Sequence, residues 1–273
     1  VSGYSRSPAD SGSDTADSDA NVTTGRTSNI TLLGGGSNIT VDAGYYQPVT
    51  IGNFVFNDTN ANGQQDVGEV GLAAVLVRLF RPGVGADGIA GNADDALAVS
   101  TFTTLAGGAY SFSGLPPGTY RVGFGPLAGY TRSIANQGAD VSDSDANAST
   151  GITGDYALSA GTVNNTVDAG YYQPGTVTGH LYIDTNGNGV QDGSEPPLAN
   201  VDVIVTDVNG VSQTVSTNSS GNWTATVPPG STTANVQESD PQFPTGSTQT
   251  EGTDPTTVIA VSNSTVSAGN DGY

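Results

Sequence analysis

The chain has 273 residues and no Lys, Cys or Met, and six Arg against 26 Asp and Glu leave a formal net charge of −20. That balance excludes a surface built for nucleic acid or for an anionic membrane, because phosphate recognition needs stripes of Lys and Arg; the lack of Cys removes disulfides as a staple. Apolar residues make up 35% and fall in short β-type runs among 39 Gly and 14 Pro, which predicts an all-β chain with many turns. No run approaches the roughly 18–20 apolar residues of a membrane span. No signal-peptide pattern opens the sequence, which reads as mature chain or as a piece of something longer.

Residues 1–48 read as the C-terminal part of a repeat unit. Tyr4-Ser5-Arg6-Ser7 returns as Tyr130-Thr131-Arg132-Ser133, and Asp17-Ser18-Asp19-Ala20-Asn21 returns as Asp143-Ser144-Asp145-Ala146-Asn147. Val41 to Pro48 returns unchanged as Val167 to Pro174, and the offset is 126 each time. A fixed long period marks a repeat array. Residues 49–174 then form a complete unit. Short runs over 51–56, 73–80, 97–104, 109–113, 119–124, 152–159 and 163–172, with turn signals such as Pro116-Pro117-Gly118 between them, predict an immunoglobulin-like Greek-key β-sandwich. Residues 175–273 form a shorter β-sandwich unit that keeps the turn at Pro228-Pro229-Gly230. It lacks the insert at about 82–96 and the Asp-Ser-Asp-Ala-Asn segment. The links Tyr46-Gln47-Pro48 and Tyr172-Gln173-Pro174 are short and stiffened by Pro, which favours a rod. The half-unit at the start belongs to a longer array or is completed by another chain.

The strongest chemical signal follows the first strand of each unit. Numbered from Asp58, oxygen-bearing side chains fall at positions 1 (Asp58), 3 (Asn60), 5 (Asn62), 9 (Asp66) and 12 (Glu69). Gly63 stands at position 6 for the sharp turn, and Gln64 at position 7 offers its carbonyl. Asp184, Asn186, Asn188, Val190, Asp192 and Glu195 repeat the pattern around Gly189. This is the spacing of an EF-hand loop without its helices. It wraps one stretch of backbone around a hard cation that takes roughly six to eight oxygens. Ca²⁺ is therefore the expected cofactor, bound with the modest affinity of extracellular modules.

Two further acidic clusters invite the same chemistry. Asp140, Asp143, Asp145 and Asn147, with their counterparts Asp14, Asp17, Asp19 and Asn21, crowd carboxylates that would repel one another without a cation. In the insert, two Gly residues would let Asp87 fold back onto Asp94 and Asp95; the alternative there is a plain surface hairpin.

Together, Asp-Thr-Asn-x-Asn-Gly-x-Gln-Asp-x-x-Glu, Pro-Pro-Gly-Thr-Tyr, Asp-Ser-Asp-Ala-Asn and Val-Asp-Ala-Gly-Tyr-Tyr-Gln-Pro resemble the B-type repeats of the SD-repeat bacterial surface adhesins. Those repeats are similar to the B-type modules of collagen adhesins. The resemblance spans nearly the whole chain, although residues 175–273 keep only the first loop and the Pro-Pro-Gly turn. It implies a calcium-dependent β-sandwich in a stalk that holds a ligand-binding region away from the cell. Related modules in pilins use a Lys–Asn isopeptide crosslink, which a chain without Lys cannot form.

His180 is the only histidine, so zinc chemistry and a Ser-His-Asp triad both lack parts, and it reads as a strand residue. Trp223 reads as core. The expected function is a calcium-stabilised structural repeat of an extracellular stalk, fibre or filament, non-enzymatic, with calcium ions, neighbouring repeats and other copies of the chain as partners. The rival reading is an adhesive module that binds a host protein or glycan directly. It would need exposed aromatic clusters, for which the sequence offers Tyr45, Tyr46, Tyr171 and Tyr172.

Overall fold

A computed structural model of the chain describes residues 1–85 and 96–273. Every regular element among them is a strand. In chain order these are β1 (Ser5–Arg6), β2 (Tyr45–Tyr46), β3 (Val49–Asn57), β4 (Leu76–Phe80), β5 (Ala98–Thr103), β6 (Ala109–Leu115), β7 (Gly118–Phe124), β8 (Thr131–Arg132), β9 (Tyr156–Leu158), β10 (Val163–Asn164) and β11 (Ala169–Tyr172). There follow β12 (Gly175–Tyr182), β13 (Asp202–Thr206), β14 (Ser212–Ser216), β15 (Asn222–Val227), β16 (Gly230–Val236), β17 (Thr256–Ala260) and β18 (Thr265–Gly272). By spatial contact the chain divides into two compact units. One holds residues 1–55, 71–125 and 151–168, the other residues 56–70, 126–150 and 169–273. No helix among the described residues is long and apolar enough to cross a membrane.

Residues 175–273 show most plainly how the pattern makes the fold. One sheet runs β15-β12-β18 and the other β14-β13-β16-β17. Along β15 burial alternates residue by residue, with Trp223, Ala225 and Val227 inside, as a pleat with one apolar face requires. They share a core with Val177 and Leu181 of β12, and with Val203, Val205, Ala234, Val236 and Ala260 of the facing sheet. Two layers close over one apolar interior, and each fully buried Val or Leu contributes about 1.5–3 kcal/mol. Trp223 lies across Gly179, its partner on β12, where a Cβ would come within 2.5 Å of the indole. Trp223 is thus core, and His180 sits in β12, its Nδ1 2.9 Å from Asn222 Oδ1.

In residues 49–174 the sheets are β10-β3-β11-β8, with β6 also on β3, and β5-β4-β7-β9. The first strand pairs parallel to a late one in both repeats, β3 with β10 and β12 with β18.

Several strands differ from their predicted spans for local reasons. The run over 73–80 becomes strand only at Leu76, because Ala74 is left-handed (φ 65°) and the Val75 amide donates to Thr104 Oγ at 3.0 Å. The run over 152–159 shortens to β9, since Thr153 Oγ takes the Val122 amide at 3.1 Å where a ladder carbonyl would stand. The run over 163–172 breaks into β10 and β11. Between them Asn164 Oδ1 caps the amide and hydroxyl of Thr166 at 2.9 Å. Beyond that cap the fully buried Asp168 accepts the Phe54 amide at 2.9 Å and Asn53 Nδ2 at 3.2 Å. Two-residue β8 carries too short a pattern to be read in advance.

The repeated segments fold alike. Ser5 and Arg6 pair with Tyr46 and Tyr45 as Thr131 and Arg132 pair with Tyr172 and Tyr171. Tyr171 is fully buried and Tyr45 43% exposed, so the four tyrosines do not make an exposed aromatic face.

Candidate metal centres

The two EF-hand-type loops adopt the same closed geometry, one side-chain bond at a time. Asp58 at position 1 is fully buried, and its carboxylate accepts the amides of Asn62 (3.2 Å) and Gly63 (2.7 Å). Asp184 accepts Gly187 (2.7 Å), Asn188 (3.3 Å) and Gly189 (2.8 Å). Asn60 and Asn62 both donate from Nδ2 to Asp66 Oδ2, at 2.8 and 2.9 Å, and Asn186 and Asn188 do the same to Asp192 Oδ2, at 2.7 and 3.0 Å. Positions 3, 5 and 9 therefore converge. Position 12 closes the ring. Glu69 Oε1 accepts the amide and hydroxyl of Thr59 (2.6 and 3.0 Å), and Oε2 accepts the Asp66 amide (3.1 Å). Glu195 is held by Thr185 and Asp192 in the same way. The sequence analysis missed Thr59 and Thr185; a Thr next to the first ligand Asp in both copies is the signal that could have found them.

The electrostatics of the two loops differ in detail. Burial pushes Glu69 above the ordinary carboxylate range. The amides of Asp66 and Thr59 and the Thr59 hydroxyl oppose that rise, and the nearby Asp58 charge adds to it. Burial also acts to raise Asp184, but the Gly189 amide, the Thr250 side chain and the Gly187 and Asn188 amides outweigh it and bring it down to about 2. Gly63 cannot be replaced. It has φ 77°, and a Cβ there would lie 2.3 Å from the Ile134 carbonyl oxygen.

The second cluster forms through tertiary contact. Asp140, Asp143 and Asp145 bring carboxylate oxygens within 4.8 Å of one another. Asp143 is 3% exposed; its Oδ2 accepts the Gly138 amide at 3.1 Å, while its Oδ1 is buried without a hydrogen bond. Unit charges about 4 Å apart repel by about 4 kcal/mol at an effective dielectric near 20. A buried acceptor left open beside two more carboxylates fits a hard cation. Asn147 Oδ1 accepts the amides of Ser149 and Thr150 and the Thr150 hydroxyl. Among the described residues, Asp14, Asp17 and Asp19 form no such group. Asn21 caps Thr23 and Thr24 as Asn147 caps its own turn. Asp87, Asp94 and Asp95 lie outside the described residues.

Arg132 holds the turn that follows the acidic segment against Tyr171. It lies over the Tyr171 ring at 6.0 Å and reaches the Ala148 carbonyl at 3.5 Å, while Arg6 donates to the matching Val22 carbonyl at 3.0 Å.

The SdrD B-like domain model matches residues 49–171, which hold the Asp58 loop and the Asp143 segment. Residues 49–171 belong to the SdrD B-like domain family. Serine-aspartate repeat-containing protein D of Staphylococcus aureus is 34% identical over 227 residues, which is 81% of this chain and 15% of that protein. Serine-aspartate repeat-containing protein F of Staphylococcus epidermidis is 35% identical over the same length, 12% of that protein. The chain thus spans well under a fifth of the curated relatives it matches. Among solved structures, the minor pilin GBS52 of Streptococcus agalactiae aligns over 82% of this chain and 95% of its own, at 14% identity and a TM-score of 0.32.

Proposed function

We propose that the chain is a calcium-stabilised stretch of an extracellular stalk or filament. It is built from immunoglobulin-like Greek-key repeats bounded at residues 1–48, 49–174 and 175–273, with neighbouring repeats and further copies meeting head to tail. The observation that carries the calcium reading is the doubled loop: two stretches far apart in sequence bring positions 1, 3, 5, 9 and 12 together through the same bonds. The immunoglobulin-like reading gains support from Tyr120, whose hydroxyl donates to the Pro116 carbonyl four residues upstream at 2.6 Å, in the manner of a tyrosine corner.

Bound calcium would neutralise carboxylates that the −20 chain otherwise sets against one another. It would also fix the loops that link strands, stiffening a rod that has neither disulfide nor isopeptide bond. The test is calorimetric calcium titration of the whole chain, beside Asp58→Ala and Glu69→Ala. The expected result is saturable heat, with one site missing in each variant. No heat and no thermal shift at millimolar calcium would sink the reading.

A further inference from the structure

The first loop and the acidic segment are zipped together. Gly63 donates its amide to the Asp58 carboxylate at 2.7 Å, and its carbonyl accepts the Ser144 amide at 2.8 Å. Ser144 stands between Asp143 and Asp145, two members of the acidic cluster. Beside this link the Gln65 amide donates to the Ser142 carbonyl at 2.6 Å, and Gln64 bridges Asp143 in antiparallel register. Positions 6 to 8 of one oxygen-lined loop are therefore backbone-bonded to the residues that hold the other oxygens.

Residues 12–21 repeat the acidic segment, with the Asp17 carboxylate accepting the Gly12 amide at 2.9 Å as Asp143 accepts Gly138. Asp17 and Asp19 are half-buried and, among the described residues, no three-carboxylate group closes there, whereas Asp143 and Asp145 are 3% and 8% exposed.

We infer that the two centres of residues 49–174 bind calcium with positive coupling, each ion ordering the backbone that shapes the other's ligands, while the loop around Asp184 binds independently. The inference rests on the calcium reading above. Its sign is diagnostic, because two divalent cations on neighbouring ligand sets repel; charge alone would make the coupling negative. The mechanism is shared ordering: an element fixed by one ligand need not be fixed again by the next.

The test is a calcium titration of the ¹⁵N-labelled whole chain, followed at the amides of Gly63, Ser144 and Gly189. Running it in about 0.5 M KCl leaves a Debye length of only a few ångström. The expected result is that Gly63 and Ser144 share one midpoint with a Hill slope above 1, and that Gly189 follows its own curve. In Asp140→Asn, an exposed position, the Gly63 midpoint should rise about 5-fold or more while Gly189 stays in place. In Glu69→Gln the Ser144 midpoint should rise by the same factor, since coupling is reciprocal. A Gly63 midpoint unchanged or lowered in Asp140→Asn would overturn the inference. A Ser144 amide that never titrates while Gly63 does would overturn it too and leave the first loop standing. Silence at both Gly63 and Gly189 would remove the calcium reading itself, and the inference with it.

Discussion

Two copies of one acidic segment end in different states. Around Asp143 three carboxylates close to within 4.8 Å and one oxygen is buried without a partner; around Asp17 the same residue types, in the same turn, stay apart and partly wet. Their local bonds match, down to the Asn cap that ends each segment. Around Asp143, residues 63–65 pair with 142–144. The shared Asp-Ser-Asp-Ala-Asn run thus brings its carboxylates together in one place and leaves them half-buried and apart in the other, because burial and convergence are properties of what packs against the segment.

The largest expected effect comes from removing calcium altogether. A site filled at about 100 times its Kd adds about 2.7 kcal/mol. On the proposed reading, residues 49–174 carry two such centres and residues 175–273 one. Differential scanning calorimetry in a chelator should therefore lower the transition of the 49–174 repeat by about twice as much as that of the 175–273 repeat. Equal shifts would mean that the acidic cluster holds no ion.

Next in size is Asp58→Ala. Besides emptying the first loop, it strands the buried amide of Gly63, which costs about 1–3 kcal/mol even in chelator, while the Asn62 amide keeps Asn60 Oδ1. Urea unfolding with and without calcium separates the two losses, and a variant as stable as wild type in chelator would show that the Gly63 amide finds another partner.

A smaller but sharper contrast is Asp143→Asn against Asp17→Asn. At 143 the variant should melt above wild type in chelator, where one repelling charge is gone, and below it in calcium, where a ligand is gone. Each shift should be on the order of 1 kcal/mol, about 2–4 °C in a chain of this size. At 17 both shifts should stay within about 0.5 kcal/mol. A response at 17 equal to that at 143 would break the comparison.

A pH-dependent contrast concerns the repeat that lacks the acidic segment. There burial, then the Asp254 charge, pushes Asp271 up to about 7, with Glu251 adding to the rise and Gln249 and the Thr253 amide opposing it. A carboxyl raised in the folded state stabilises at low pH, and that contribution is lost as pH climbs through about 7. Thermal melts of Asp271→Asn should therefore match wild type near pH 4 and exceed it by a few degrees at pH 8; a variant that melts lower at pH 8 would place the charge in a stabilising role.

Composition, the 126-residue period and the 1-3-5-9-12 spacing were enough to establish the all-β class, the repeat and the two EF-hand-type loops. Each of those signals is local: alternation such as that of β15 depends on the pleat, and a loop of a dozen residues closes through its own amides. Local chemistry could not say which acidic segment brings three carboxylates together. Nor could it foresee that Asp168 would be spent on the Phe54 amide, or that Asn147 would cap a turn. Those outcomes depend on residues brought together across up to 115 positions. Only the tertiary structure decides which carboxylate loses its water and which keeps it, because desolvation depends on neighbours that the sequence holds far apart.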